Sequence, residues 1–404
     1  MELRPILSAL MRSKTGALLI AMQVALTLAI LGNALYIVAD RLAIAARPTG
    51  ADEANTFQFR SYVFREGVDV PAMHDADLAM IRAMPGVVAV ARSNMIPLGQ
   101  SGWNLGVRRS LEDPIQSGFN TAFYYTGDSL VDALGLSLIE GRDFVETDSI
   151  TIEPSMATMA PRVAILSRAM AEQLFPGETT WVGRTAYLGE SPFEVVGVVE
   201  RLQSPWGQLG VDGERSMIGA VRSLDPVGQY IVRTEPGQRD RLMREVEDAL
   251  MAARDDRVHL GTVSLEQARV NRYRADRSLA WMLLAVVGLL LMVTASGIVG
   301  MATLWVNQRR KQIGVRRAIG ARRFDILRYF LIENFLVTSA GIAVGIVLAL
   351  GLNQLLISQL EVERLPLAQL PLGALGLWLL GLLAAFGPAW RASRIPPAEA
   401  TRSA

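Results

Sequence analysis

Four long apolar runs punctuate the chain: 17–39, 279–304, 331–357 and about 370–386. Each is long enough to cross a bilayer as a helix. Between the first and second lies a polar stretch, from about Asp40 to Arg277, with strand and helix periodicities mixed. Phe57, Phe59, Ser61 and Val63 alternate with polar residues, as on a half-buried strand. Asp75 to Met84 reads as a helix stopped by Pro85-Gly86, and strands follow at 87–91, 103–107 and 122–125. Asp128 to Leu134 reads as a helix capped by Asp128 or Ser129. Val163 to Leu166 forms a strand that passes through a capping Ser167 into a helix, Arg168 to Phe175. Segments 185–188 and 193–199 flank a Gly-Glu-Ser-Pro turn and suggest a hairpin. Tyr230 to Arg233 is a further strand, Pro236 opens an amphipathic helix, and Val258 to Val263 closes the set.

Ser264 and Gln267 form a capping-box pattern for a helix beginning at Leu265. If it continues to Leu304 it is roughly 60 Å long at 1.5 Å per residue, about twice what a bilayer core needs. It is then a stalk that carries motion, or a long anchor. The fold class expected is an α-helical membrane protein with four transmembrane helices. A large α+β domain of one or two lobes is inserted between the first and second. The expected parts are an amphipathic N-terminal helix (1–16), spans at 17–39, 278–304, 329–357 and 370–387, and the α+β domain (40–277). A basic loop (305–328), a short loop (358–369) and a tail (388–404) complete them.

Charge sets the orientation. Between Arg309 and Phe330 stand Arg309, Arg310, Lys311, Arg316, Arg317, Arg322, Arg323 and Arg328 against a single acid, Asp325. Loops this rich in Arg and Lys resist translocation and stay inside. Both termini are also basic, so the 40–277 domain falls outside, which in a bacterial inner membrane is the periplasm. Ile313, Val315, Ala318 and Ile319 are interleaved with the charges, so the loop is a short helix with an apolar face. It is either a docking element or only a topology signal. A cleavable signal peptide competes for the first run. The run exceeds a usual signal core, and Ala43-Ile44-Ala45 is its one cleavage-like site.

Composition narrows the chemistry. The 404 residues carry a formal net charge of +1 and no cysteine. This argues against a nucleic-acid binder and excludes disulfides and thiolate catalysis. Neither lysine, Lys14 or Lys311, sits in a Gly-Lys-Ser/Thr phosphate loop, so the chain shows no ATP site. His74 with Asp75 and Asp77 could form a metal cluster, although neighbours at a helix start are more often solvated or capping. There is no Gly-x-Ser-x-Gly elbow. No catalytic, cofactor or metal residue is assigned. Within the spans, Gln23, Thr27 and Asn33 are expected to face other helices, because lipid cannot satisfy them. Gly341, Gly345 and Gly351 allow close helix contact. Glu333 sits at the interface or pairs with an Arg, or else serves a proton relay.

The segment Ile313-Gly314-Val315-Arg316-Arg317-Ala318-Ile319-Gly320-Ala321 resembles the cytoplasmic loop of FtsX-like and MacB-like ABC permeases. The ending from Pro388-Ala389-Trp390-Arg391 to Ala400 is similar to that family's C-terminus. The outer domain resembles the MacB-like periplasmic core in three places: Leu134 to Phe144, Leu174 to Arg184, and Val195 to Val199. The resemblance implies a non-catalytic permease subunit, dimeric with a second copy or a paralogous permease. ATP and Mg would be bound by separate cytoplasmic ATPase subunits. It implies mechanotransmission, in which nucleotide-driven closure inside moves the outer domain. The ATPase-coupling residues it implies are Ile313, Gly314, Val315, Arg316, Arg317, Ile319 and Gly320. The coupling helix would span 308–319, break at Gly320, and lead through 322–330 into the third span. Ile313, Val315 and Ile319 are the residues expected to touch the ATPase. Further partners would be the lipid bilayer and, in a tripartite efflux system, a periplasmic adaptor and an outer-membrane channel. The alternatives within the family are a signalling scaffold for an envelope enzyme and a lipoprotein-releasing permease.

Overall fold

Alternating side chains divide the first strand between two environments, and much of the α+β unit follows from that division. The computed structural model describes residues 14–99, 101–114, 118–152, 160–207, 210–360, 366 and 370–396. The expected N-terminal amphipathic helix, the acidic loop around 361–364 and the end of the tail lie outside the described residues. The chain separates into two units, 1–42 with 276–404, and 43–275.

The second of these units holds two sheets. A four-stranded antiparallel sheet runs β12-β1-β11-β2, from β1 (Thr56–Val63), β2 (Val87–Arg92), β11 (Val227–Thr234) and β12 (Arg257–Ser264). Phe57 and Phe59 on β1, with Tyr230 and Val232 on β11, form one buried core. That core is completed by two helices, α2 (Val70–Arg82) and α5 (Arg239–Ala252). The second sheet contains β3 (Asn104–Arg108), β4 (Phe119–Thr126), β5 (Leu138–Gly141), β6 (Ile150–Ile152), β7 (Val163–Ser167), β8 (Thr185–Leu188), β9 (Ser191–Val199) and β10 (Ser216–Ser223). Its path β4-β3-β8-β9-β7-β10 returns to β4 by a parallel pairing, so six strands close on themselves. Closure leaves those strands without free edges. Val107, Phe123, Leu166, Phe193 and Val195 of these strands form a buried core with the short helix α4 (Arg168–Leu174). A further core, including Ala91, Tyr124, Leu130, Leu134, Ile165 and Ile231, draws on both sheets and on α3 (Leu130–Leu134).

Caps fix the helix starts. Ser129, Ser167 and Ser264 accept from the N–H groups of Asp132, Met170 and Gln267. The hairpin turns at Gly189-Glu190, with Leu188 paired to Ser191 and Gly189 at φ +61°. Three local expectations are corrected. Helix α2 begins at Val70, not Asp75, because Asp69 caps it and Pro71 is tolerated in a first turn. Pro236 does not open α5: Gly237 at φ +80° makes a turn there and the helix starts at Arg239. The expected continuous helix from Leu265 is interrupted. Helix α6 (Leu265–Arg272) ends at Tyr273, which has φ −95° and ψ 13°, before α7 (Arg274–Gln308) begins. Tyr273 is buried against Ile44 and Leu98, and its hydroxyl donates to the Gly207 carbonyl. Anchoring that side chain takes one residue out of helical geometry.

The other unit contains α1 (Lys14–Ala46), α7, α8 (Arg310–Ala318), α9 (Arg323–Leu360) and α10 (Leu370–Ser393). All but α8 are long and apolar enough to cross a membrane. Helix α10 continues through Pro388, where the sequence suggests a stop. Its last turn is held by Ala389 and Ala392, which pack with Ile326, Leu327 and Phe330.

His74 and Asp77 are neither solvated nor capping; both are buried in α2. His74 Nε2 donates to the Asp225 carbonyl at 2.9 Å, and Nδ1 lies 2.7 Å from the Tyr230 hydroxyl. That hydroxyl also reaches Asp77 at 2.5 Å, and Asp77 takes Nη2 of the fully buried Arg257. Burial, with the Arg92 and Arg257 charges nearby, lowers the His74 pKa from its ordinary 6.5 to about 3. Between these values the unfolded chain binds a proton that the native state refuses, so stability falls as pH drops below about 6.5. At pH 5 the loss is about 2 kcal/mol. Thermal unfolding of the full chain at pH 7 and pH 5 should show the midpoint falling. In His74→Gln the midpoint should be lower at pH 7 but flatter with pH; an equal slope in both proteins rejects this account.

Candidate coupling helix and packed span core

Helix α8 is short, and its two faces differ. Ile313 is 4% exposed and packs with Val306, Ile326, Leu327 and Phe330. Gly314 beside it is also buried. Val315 is 49% exposed and Ile319 is 81% exposed. Gln312, Val315, Arg316 and Ile319 follow the spacing of one helix face. The chain leaves the helix at Gly320, whose φ of +105° an L side chain rarely adopts. The next helix, α9, is entered through Asp325, whose carboxylate accepts from the Arg322 N–H at 2.9 Å.

Several arginines of this segment are engaged within the chain. Arg309, the residue before α8, meets Glu333 of α9 through Nη1, with contacts of 2.8 and 2.9 Å to the two carboxylate oxygens. Glu333 is fully buried. Of the readings of Glu333, pairing with an Arg is the one the geometry supports, and the partner is Arg309, distant in sequence. The Arg316 guanidinium lies 5.1 Å from the centre of the Tyr329 ring. Arg317 Nη1 donates to the Ser393 carbonyl at the end of α10 at 3.0 Å. Of the proposed contact residues, Ile313 and Gly314 are therefore used inside the unit. Val315, Arg316, Ile319 and Gly320 are exposed, and Arg317 is half-buried.

The polar residues of α1 reach neighbouring helices. The Thr27 and Thr294 hydroxyls are 2.8 Å apart. Asn33 Nδ2 donates to the carbonyls of Ala29, one turn back, and Ala349 of α9. Gln23 packs against Gly297, where a Cβ would come within 2.5 Å of its amide oxygen. Gly341 and Gly345 of α9 meet the α1 backbone. A Cβ on Gly341 would stand 2.7 Å from the Ala21 carbonyl oxygen, and one on Gly345 3.0 Å from the Ala25 Cα. Gly351 has open space where its Cβ would be, so it takes no part in this contact. Sequence reasoning missed Thr294, Asn334 and Thr338. The last two face Gly381 of α10, and Asn334 Nδ2 and Thr338 Oγ1 are buried without a hydrogen-bond partner among the described residues. Their spacing of four was the available signal, since it places them on one helix face.

Glu333→Gln should leave the partly buried Arg309 charge without its carboxylate, which costs up to about 3–5 kcal/mol. Its thermal midpoint in detergent should fall sharply. The double change Arg309→Leu with Glu333→Leu should recover most of the loss, because an apolar replacement of both partners avoids the stranded charge. A single variant as stable as the parent contradicts the pairing.

Comparison with known proteins covers both units. The MacB-like periplasmic core domain model matches residues 18–249, and the FtsX-like permease C-terminal model matches residues 284–397. The macrolide export ATP-binding/permease protein MacB of Nitrosomonas europaea is 30% identical over 276 residues, covering 65% of this chain and 40% of that protein. The pyoverdine export ATP-binding/permease protein PvdT of Pseudomonas savastanoi pv. phaseolicola is 29% identical over 275 residues, covering 66% and 40%. The chain thus spans about 40% of the length of these curated relatives. The periplasmic region of MacB from Actinobacillus actinomycetemcomitans aligns with a TM-score of 0.34 at 14% identity, over 57% of this chain and 97% of that structure. By the two domain matches, the chain belongs to the MacB-like, FtsX-like family of ABC transporter permeases.

Proposed function

We propose that this chain is the membrane-spanning part of an ATP-driven exporter of the bacterial inner membrane. In this reading the four apolar helices cross the bilayer, both termini and α8 are cytoplasmic, and the α+β unit is periplasmic. The positive-inside pattern supports that orientation. ATP and Mg are bound by cytoplasmic ABC ATPase domains, because these 404 residues contain no phosphate loop. Closure of those ATPases on nucleotide pushes on α8, and the helices transmit the movement to the periplasmic unit, driving export or efflux. Two permease chains, identical or paralogous, form the working pair. A periplasmic adaptor and an outer-membrane channel complete the route in a tripartite assembly.

The observation that carries the reading is the form of α8. One face is fixed in the helix bundle by Ile313, and the Arg309–Glu333 pair holds its start. The other leaves Val315 and Ile319 exposed among cations. An exposed apolar pair on a helix that is itself anchored suits a lever with a protein partner. The sequence expectation for Ile313 is thereby revised: it holds the lever, while Val315 and Ile319 make the contact.

Co-expression with candidate ABC ATPases from the same genome should yield a complex whose nucleotide hydrolysis depends on this chain. Val315→Asp with Ile319→Asp should abolish co-purification, or reduce hydrolysis at least tenfold, with the thermal midpoint of the permease unchanged. Ile313→Asp should instead destabilise the permease itself. Full assembly and turnover in the double variant would rule out this docking face. If a complex forms and hydrolyses ATP but the periplasmic unit captures an envelope hydrolase instead of an adaptor, the signalling alternative replaces export.

A further inference from the structure

The four-stranded sheet has a second face. Phe57, Phe59, Tyr230 and Val232 turn toward the core under α2 and α5. Strand alternation sends Gln58, Arg60 and Gln229 the other way, and Arg60 stands directly opposite Gln229 across the β1–β11 ladder. There they line a cavity of about 250 Å³ that lies wholly within residues 43–275. Asn271 of α6 adds another polar group, and Met95, Ile96 and Leu260 supply an apolar wall.

Asn271 accepts from Gln267 and Arg274, but three other polar side chains of this cavity make no hydrogen bond among the described residues. Gln58 is 4% exposed and Gln229 is 7% exposed, and neither side-chain amide hydrogen-bonds to any described residue. Among the described residues Arg60 pairs with no carboxylate, and its Nε is buried without a partner. None of the described lining residues is Asp or Glu. Leaving the buried Arg60 Nε unmatched costs on the order of 1–3 kcal/mol. Such a group in a folded protein calls for an explanation. The segment bounding the cavity carries a second cost. Leu98 occupies φ +57° in a turn closed by the Gly99 N–H to the Ile96 carbonyl, a position usually given to glycine.

We infer that this cavity binds a small ligand presenting a carboxylate next to an amide, the chemistry of a peptide carboxy-terminus. Arg60 takes the carboxylate. The amides of Gln58 and Gln229 each offer a donor and an acceptor to a peptide unit. The Met95, Ile96 and Leu260 wall receives a short aliphatic side chain. The assignment does not depend on the coupling reading, since it needs neither an ATPase nor movement of α8.

The test uses the full chain in nanodiscs and fluorine NMR of N-trifluoroacetyl-Ala-Ala at millimolar concentration, as the free acid and as the C-terminal amide. The free acid should broaden several-fold relative to empty nanodiscs, and the amide much less. Arg60→Gln, at unchanged thermal midpoint, should remove the difference between the two probes, and Arg60→Lys should keep part of it. Gln229→Leu should weaken both probes. Equal broadening of acid and amide, broadening of the acid that survives Arg60→Gln, or no broadening beyond that of empty nanodiscs would each overturn the assignment. None of these outcomes bears on whether Val315 and Ile319 dock an ATPase.

Discussion

The helix bundle depends on one close approach: α9 presents bare glycine Cα atoms to the backbone of α1. With the Ala25 Cα 3.0 Å from where a Cβ on Gly345 would stand, even alanine requires movement there. In lipid there is no hydrophobic gain from helix association, so close packing and interhelical hydrogen bonds must supply it. The glycines make both available. They bring the backbones near enough for Asn33 on α1 to reach the Ala349 carbonyl on α9. On another side of α1, Thr27 meets Thr294. The polar groups are therefore consequences of the approach as much as causes of it, and separating α1 from α9 would leave Asn33 without its distant partner.

The same economy governs the basic segment. Its charges look like a surplus in the sequence, yet several are committed: Arg309 to Glu333, Arg316 to the Tyr329 ring, and Arg317 to the Ser393 carbonyl. Each of these contacts ties the α8 region to a long helix. A cation in this loop thus has two tasks, holding the loop on its side of the membrane and fixing its geometry. Lys311, Arg322, Arg323 and Arg328 stay exposed beside Val315 and Ile319. Those exposed cations keep an otherwise sticky apolar pair soluble.

Elements whose periodicity is simple were legible in the sequence. The four apolar helices, the β7-to-α4 step through Ser167, and the Gly189-Glu190 hairpin all announce themselves by run length, cap or turn residue. Strand β10 was not anticipated. Nearly all of its residues are buried, Ser216 accepts its place through a bond from its N–H to Ser167 Oγ, and Gly219 makes room for the Phe123 ring. A strand covered on both faces shows no alternation, and its Ser and Gly read as loop. The candidate site was legible in type but not in assignment. Spacing identified an apolar set on α8 without saying which member faces inward, since Ile313 and Val315 differ only through Phe330 and its neighbours, which are contributed from elsewhere in the chain. The Glu333 partner was missed for the same reason: Arg328 is near in sequence, whereas Arg309 is near in space.

The two faces of the four-stranded sheet show how buried polarity should be weighed. On one side His74, Asp77, Tyr230 and Arg257 form a connected set, each with a named partner at hydrogen-bond distance. Such a set stabilises the native arrangement over alternatives, and a fold can keep it for that reason alone. Across the same strands, Gln58 and Gln229 are buried and Arg60 is half-buried, and none of the three has such connections among the described residues. Stability alone would not select an arginine whose Nε is buried and unmatched, because that costs free energy an apolar residue would not. Arg60 and Phe59 are adjacent in the chain and equally constrained by the ladder, so the strand backbone does not explain the difference. A ligand whose carboxylate and amides complete the missing bonds does.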